Sequence, residues 1–434
     1  MMQDAEPGRS LGPWSASAVV VASMIGVGVF TTSGFALADL GTPRRVLAAW
    51  LVGGLFATCG TLSYGALARR FPQSGGEYHF LARVLHPMAG FLAGWVSLLA
   101  GFSAPTAAAA LGLQAYLAPS LGASSEARWI ATAAILVTSL QHGFGVTSGA
   151  RIQNTIVATK LIGLLCFLAY GAWHLSTVGG GVDPIAAPES QAFPISAFAV
   201  SLVWISFSYS GWNAVVYIAG EIREPQRNLQ RSLLGGCLLV SALYLALNAV
   251  FLYAAPVSEL AGQVDIAAVA ASHLGGATFQ TIVRFLIALA LLTSISAMMM
   301  IGPRVYARMA EDGLFPAFFR ARNGNFRHAI LLQAAIALAV VWSSHLANLL
   351  SYIGFTLGLS AAATVFALMV QRGRDGAQGL PMRGYPTIPI LFLIGILGSS
   401  AFLVVQSANQ ALWGAITVLS GLPIYFYQRR STKA

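Results

Sequence analysis

The sequence predicts an all-α polytopic membrane protein, and three observations carry that expectation. Of 434 residues, 57% are hydrophobic and only 9% are charged, where soluble domains carry about 25% charged residues. Mean hydropathy is +0.72. The apolar residues gather in runs of about the 20 residues a helix needs to cross a bilayer. The net charge of +10 would suit nucleic acid, but the basic residues stand at the ends of apolar runs and form no single patch. No nucleic-acid partner is expected; the bilayer is.

Taken in order, the runs give twelve candidate spans, at about 15–38, 45–68, 88–117, 128–146, 152–175, 194–219, 232–255, 278–309, 329–344, 346–370, 387–407 and 409–428. The ninth is short and close to the tenth. The first run is too long for a signal-peptide core and reads as a span. With the N-terminus inside, 20 of the 24 basic residues fall on the cytoplasmic side and Arg44, Arg45, Arg128 and Arg284 on the outer side. This asymmetry sets orientation and places both termini in the cytoplasm. Cys59, Cys166 and Cys237 lie in apolar runs and read as small buried hydrophobes, not as a disulfide framework or metal site. No cofactor is implied.

Two runs are interrupted. In the first, Ser23-Met24-Ile25-Gly26-Val27-Gly28 places two glycines near mid-span, each costing about 1 kcal/mol against Ala in a helix. Close helix packing is one explanation. The other is an unwound segment whose bare N–H and C=O groups bind a small zwitterion. The sixth run holds Phe207-Ser208-Tyr209-Ser210-Gly211-Trp212-Asn213, where serines could merely bend an intact helix. Yet each interruption opens a group of five spans, and paired interruptions at matching places point to a transporter's binding site. Two inverted repeats account for both. They divide the chain into an N-terminus (1–14), a first repeat (15–178), an external connector (179–193), a second repeat (194–371), a cytoplasmic linker (372–386), the last two spans (387–428) and a tail (429–434). The N-terminal ends of half-helices suit a carboxylate, and their C-terminal ends suit an ammonium or cation.

Lys160 stands inside the fifth run, nine residues past Arg151, or roughly 13 Å into the bilayer at 1.5 Å per residue. It could snorkel to the surface. Alternatively its ammonium is buried beside the broken helices, where a coupling sodium could otherwise sit, with carbonyls near Ser23 and the hydroxyls of Ser294 and Ser296 as contacts. Intramembrane ionisable residues are functional candidates, and this one could carry a proton. Arg284 could line an outer vestibule or snorkel.

Several motifs resemble one family. Gly26-Val27-Gly28-Val29-Phe30 is similar to a GxG-I/V-F element. Phe71-Pro72-Gln73-Ser74-Gly75-Gly76-Glu77-Tyr78, with Gly90-Phe91 and Gly94-Trp95, resembles FP-x-SGG-x-Y…GF-x-x-GW. Phe207, Tyr209, Gly211-Trp212-Asn213 and the stretch from Gly220 to Asn228 resemble an F-x-Y-x-GWN…E…NP-x-R-N block. Arg304, Tyr306-Ala307 and Asp312-Gly313 through Pro316 resemble the end of its eighth span. Together these resemble the amino acid–polyamine–organocation transporter superfamily, nearest the L-type amino acid transporter branch and bacterial permeases, over nearly the whole chain.

The resemblance implies a leucine-transporter fold of twelve spans, 5+5 inverted plus two, and alternating access. It implies that the substrate carboxylate meets the N–H groups of Val27 and Gly28 in the Met24–Ile25–Gly26 break. The substrate amine would meet carbonyls near Met24, Phe207, Ser208 and Ser210, with Phe207 as the gate. Lys160 falls on this branch's span-five lysine. The expected activity is secondary transport of neutral amino acids, coupled to protons or to a counter-exchanged amino acid. A polyamine or organic-amine carrier and a transporter-like sensor without flux are the alternatives. Pro303 is unusual and is expected to kink the inner end of span eight. The 119–128 connector has no Cys, so no disulfide-linked heavy chain is expected. An enzyme is not: His79, His86 and His328 lie in connectors, and no H-E-x-x-H or Cys/His cluster occurs. If the glycines serve by the backbone they bare, Gly28→Leu should abolish binding while leaving folding intact.

Overall fold

The computed structural model describes residues 11–124, 128–143, 150–179, 193–321 and 325–431. The first ten residues, most of the 179–193 connector and the last three lie outside the described residues, as do the side chains of Arg151, Arg429 and Arg430. In order, the helices are α1 (Pro13–Met24), α2 (Val27–Leu40), α3 (Pro43–Arg70), α4 (Gly76–Val84), α5 (Pro87–Val96), α6 (Ala104–Leu117), α7 (Trp129–Gly143), α8 (Ala150–Thr177), α9 (Ile195–Ser208), α10 (Pro225–Ala254), α11 (Val257–Leu260), α12 (Ile266–Glu311), α13 (Arg327–Ser343), α14 (Leu346–Gly379), α15 (Thr387–Gln406) and α16 (Ala408–Ser431). A π-helical segment, Ser97–Ser103, joins α5 to α6, and a 3-10 segment, Ala214–Glu221, follows α9.

Seven helices among the described residues are long and apolar enough to cross a membrane, or eight when α1 and α2, bent by 44° at their break, are taken together. The helix starts follow local chemistry. Pro13, Pro43, Pro87 and Pro225 open α1, α3, α5 and α10, where the missing N–H costs nothing and the fixed φ suits a helix. Gly41, at φ 72°, closes α2, a left-handed cap that glycine adopts without strain.

The structure departs from expectation in detail. The element α12 joins two helical pieces across a break at Gly275 and Gly276, the latter at φ 71°, so a short helix from Ile266 precedes the expected span eight, which follows the break. Pro303 lies inside α12 with helical dihedrals, and the non-helical dihedrals of this element fall at those two glycines. Cys59 and Cys237 are buried, but Cys166 is exposed. It lies on α8, a peripheral helix whose Ile162, Leu165 and Trp173 are exposed with it, so an apolar run here means an outward face and not core.

At the centre, α3 packs on α10, α1 on α10, and α6 on α12. The helix α2 lies on α9, while α1 lies on the 3-10 segment. The two interrupted helices therefore run antiparallel with their breaks level. That arrangement sets the breaks side by side in the interior.

Candidate functional site

The first break is Ile25–Gly26. Gly26 precedes α2 with φ −131° and ψ −159°, and no side chain caps the N–H groups of the first turn. Val27 and Gly28 thus present uncapped donors at a positive helix end. On the other side of the break the carbonyls have partners from distant helices. The Lys160 ammonium, buried, donates to Ile25 O at 2.5 Å. The Tyr244 hydroxyl of α10 lies 2.6 Å from Met24 O and 3.2 Å from Ser208 O, so one side chain bridges both breaks.

The second break begins after Ser208. Ser210 N–H donates to Phe207 O at 2.8 Å and Ala214 N–H to Gly211 O at 3.0 Å, so a compact turn replaces helix. Gly211 sits at φ 101°, and a Cβ there would stand 2.6 Å from Ser23 O. Glycine is required on both counts. Across the interface, Thr32 Oγ1 and Ser208 Oγ are 2.9 Å apart.

The two glycines of the first break differ. A Cβ on Gly28 would lie 2.4–2.6 Å from the Ser208 backbone and side chain, so Gly28 is where the two helices touch. A Cβ on Gly26 would meet nothing nearer than 3.9 Å, so its missing side chain leaves space open. The Gly28→Leu expectation is accordingly revised: that change collides with Ser208 and must disturb packing first.

A cavity of about 1020 Å³ opens from the breaks. Its inner wall includes Ser23, Met24, Gly26, Val27, Phe207 and Ser210, and its other limb reaches Glu77, Tyr78, Glu221, Arg304 and Arg308. We call the latter the basic end. Opposite, the way is shut. Gly262 N–H donates to Gly34 O at 2.7 Å, and a Cβ on Gly34 would fall 1.9 Å from Gln263 O. Arg284 Nη2 pairs with Asp265 Oδ2 at 2.6 Å and Nη1 donates to Tyr116 O at 3.3 Å. Arg284 therefore neither snorkels nor stands alone; it holds the segment before α12 against the bundle. Phe35 and Trp204 close edge to face at 6.2 Å.

Of the residues singled out from sequence, the structure brings Ser23, Met24, Ile25, Gly26, Val27, Gly28, Phe207, Ser208, Ser210 and Lys160 together at the breaks. Two do not fit as expected. Ser294 lines the cavity but turns back onto Ala290 O at 3.1 Å, and Ser296 pairs with His142 at 2.9 Å. Neither contacts Lys160, because helical hydroxyls find their own carbonyl or a neighbour before a distant ammonium. Tyr244 was not anticipated. A tyrosine in the middle of an apolar span needs a partner for its hydroxyl, and that is the signal the sequence offers. Glu77, quoted in a motif within a connector, is buried at 6% exposure. Its Oε1 accepts from Tyr64 at 2.7 Å and Asn213 Nδ2 at 3.1 Å, and its Oε2 accepts from Ser360 at 2.5 Å. Burial raises its carboxyl pKa against the pull of those three donors.

Comparison with known proteins now bears on this geometry. A family model described as amino acid permease matches residues 11–426. The chain belongs to the amino acid permease family. It is similar to the serine/threonine exchanger SteT of Bacillus subtilis (strain 168), 27% identical over 97% of each chain. It is also similar to large neutral amino acids transporter small subunit 2 of Homo sapiens, 26% identical over 96% of this chain and 80% of the other, and to Asc-type amino acid transporter 1 of Mus musculus, 24% identical over 96% and 81%. This permease is thus an integral membrane transporter of the amino acid–polyamine–organocation superfamily, not an enzyme.

Proposed function

We propose that the permease is a secondary active transporter of neutral amino acids that works by alternating access. The observation that carries this is the meeting of two broken helices at the closed end of a cavity. The uncapped N–H groups of Val27 and Gly28 suit a carboxylate. The carbonyls of Met24, Phe207, Ser208 and Ser210 suit an ammonium, since a carbonyl already accepting one bond keeps a second lone pair. Phe207 is the gate above them. The acids on the cavity wall are Glu77 and Glu221, towards the basic end, so nothing acidic at the breaks would hold a cationic side chain.

In this reading the fold is the twelve-span, 5+5 inverted arrangement, and the basic end is cytoplasmic. The permease then stands open inward and closed outward. Lys160 occupies a cation's place against Ile25 O, so coupling is to protons or to a counter-exchanged amino acid, without sodium.

The test is counterflow in proteoliposomes loaded with neutral, cationic and carboxylate-blocked amino acids. Neutral amino acids should exchange in sodium-free buffer, and blocked analogues should not compete. Competition by the blocked analogues would favour an amine carrier. Sodium-dependent uptake that survives Lys160→Ala would refute the role given to the lysine.

A further inference from the structure

Glu77 is a second buried ionisable group on the pathway, and substrate binding at the breaks leaves it without a role. It lines the cavity between the breaks and the basic end. Its three donors come from three parts of the bundle: Tyr64 from α3, Asn213 from the break beyond α9, and Ser360 from α14. Among the described residues no arginine, lysine or histidine pairs with it.

The groups facing it are neutral or engaged elsewhere, apart from Glu221 and Arg304 on the cavity wall, the latter lying over the Phe326 ring at 5.9 Å. From the stretch after α9 come Asn213 and Tyr217, with Glu221 further along the cavity wall; from α14 come Ser360 and, against Tyr64, Thr364. The packed helix α5 carries no ionisable side chain. At the end of α14, Arg374 donates to Val84 O at 2.7 Å and Asp375 pairs with Arg70 at 2.7 Å. On α4 itself, Tyr78 binds Asp312 at 3.1 Å, and His79 lies 3.2 Å from Gln73. Arg308 is taken by Glu311 and Asp312. A carboxylate so placed has only hydrogen bonds to offset its desolvation. Remove one donor and the proton-bearing form gains.

Asn213 is the donor that must move. It lies in the break, so any swing of the segment beyond Ser208 changes its distance from Glu77. We propose that Glu77 is a proton-binding site on the basic limb of the pathway, ionised while it holds Tyr64, Asn213 and Ser360 and taking a proton from cavity water when the Asn213 segment departs. By linkage, protons on that side then favour the departed arrangement. The assignment places the coupling or regulating proton at Glu77 and leaves Lys160 as a fixed cation. It rests on the transport reading only for the flux measurement below.

Infrared spectra of the reconstituted full chain, taken as pH-difference spectra, test the proton site directly. A carboxylic C=O band should appear on acidification, vanish in Glu77→Gln and persist at a displaced midpoint in Glu77→Asp. Tyr64→Phe, which removes one donor to the anion, should move the midpoint up by about one pH unit, a tenfold gain in proton affinity. In counterflow, wild-type exchange should change several-fold with internal pH, and Glu77→Gln should flatten that dependence. Absence of a Glu77-dependent band, a downward shift in Tyr64→Phe, or an unchanged pH profile in Glu77→Gln would each overturn the assignment. If the wild type exchanges no amino acid at any pH, the transport reading fails while the infrared result still decides the proton site.

Discussion

Between Met24 and Val27 the chain leaves the helix for two residues, Ile25 and Gly26. Between Ser208 and Ala214 it makes a turn and resumes as a 3-10 segment. The freed carbonyls of the first break are satisfied from afar, by Lys160 of α8 and Tyr244 of α10. In the second, Phe207 O and Gly211 O are satisfied within the turn, by the N–H groups of Ser210 and Ala214, and only Ser208 O shares the distant Tyr244 hydroxyl. The first break thus depends on side chains that arrive only when the bundle is assembled. The second depends on a backbone path that glycine alone can follow at Gly211. Side-chain truncation should therefore injure the first break, and added bulk the second.

The largest effect is expected from Lys160→Ala. It strips a charge-assisted bond of about 1.5–3 kcal/mol from Ile25 O, and exchange should fall about 100-fold, measured as initial counterflow rate. Retention of near-normal exchange would show that the first break holds without distant support. Next, Gly211→Ala should lower stability by about 1–3 kcal/mol, because it combines a positive φ with overlap onto Ser23. Thermal unfolding in detergent should show this before any change in substrate affinity. Gly26→Ala should do the reverse: an unaltered melting temperature and a weakened substrate-induced shift, since its Cβ enters open cavity. Equal loss of stability in the two variants would erase the distinction between the breaks.

Tyr244→Phe removes the one hydroxyl shared by both breaks, worth about 1 kcal/mol. A fivefold to tenfold loss of apparent affinity is expected on those terms, smaller than for Lys160→Ala. The smallest effect is a pH dependence. Burial raises the Glu77 carboxyl above its usual 4.5, so its contribution to stability is present below that value and is lost as pH rises through the raised one. The melting temperature of Glu77→Gln relative to wild type should therefore climb as pH increases across that window.

How much of this was legible beforehand follows from what each residue's neighbours are. The helical membrane architecture and both interruptions could be read from apolar runs and from clusters of Gly and Ser, because those signals are local. Lys160 could be flagged because an ion inside an apolar run demands a partner. Which partner could not be read: Ser294 and Ser296 were reasonable hydroxyls, but their helix supplies nearer acceptors. Gly26 and Gly28 look alike in sequence and differ in the structure, one facing space and the other Ser208, since only packing tells them apart. Cys166 misled for the same reason, as lipid and protein core are equally apolar. Glu77 was hidden by its position in a connector, where charged residues are normally solvated.

One small feature ties the amino terminus to this machinery. Leu11 exchanges two backbone hydrogen bonds with the end of the 3-10 segment, donating to Glu221 O at 3.0 Å and accepting from Arg223 N–H at 2.9 Å. The bridge couples the start of α1 to the stretch that follows the second break. The two half-helices at the basic end are therefore yoked, and a swing of one drags the other along. Strain introduced at Leu11 is thus felt at the second break, about two hundred residues away along the chain.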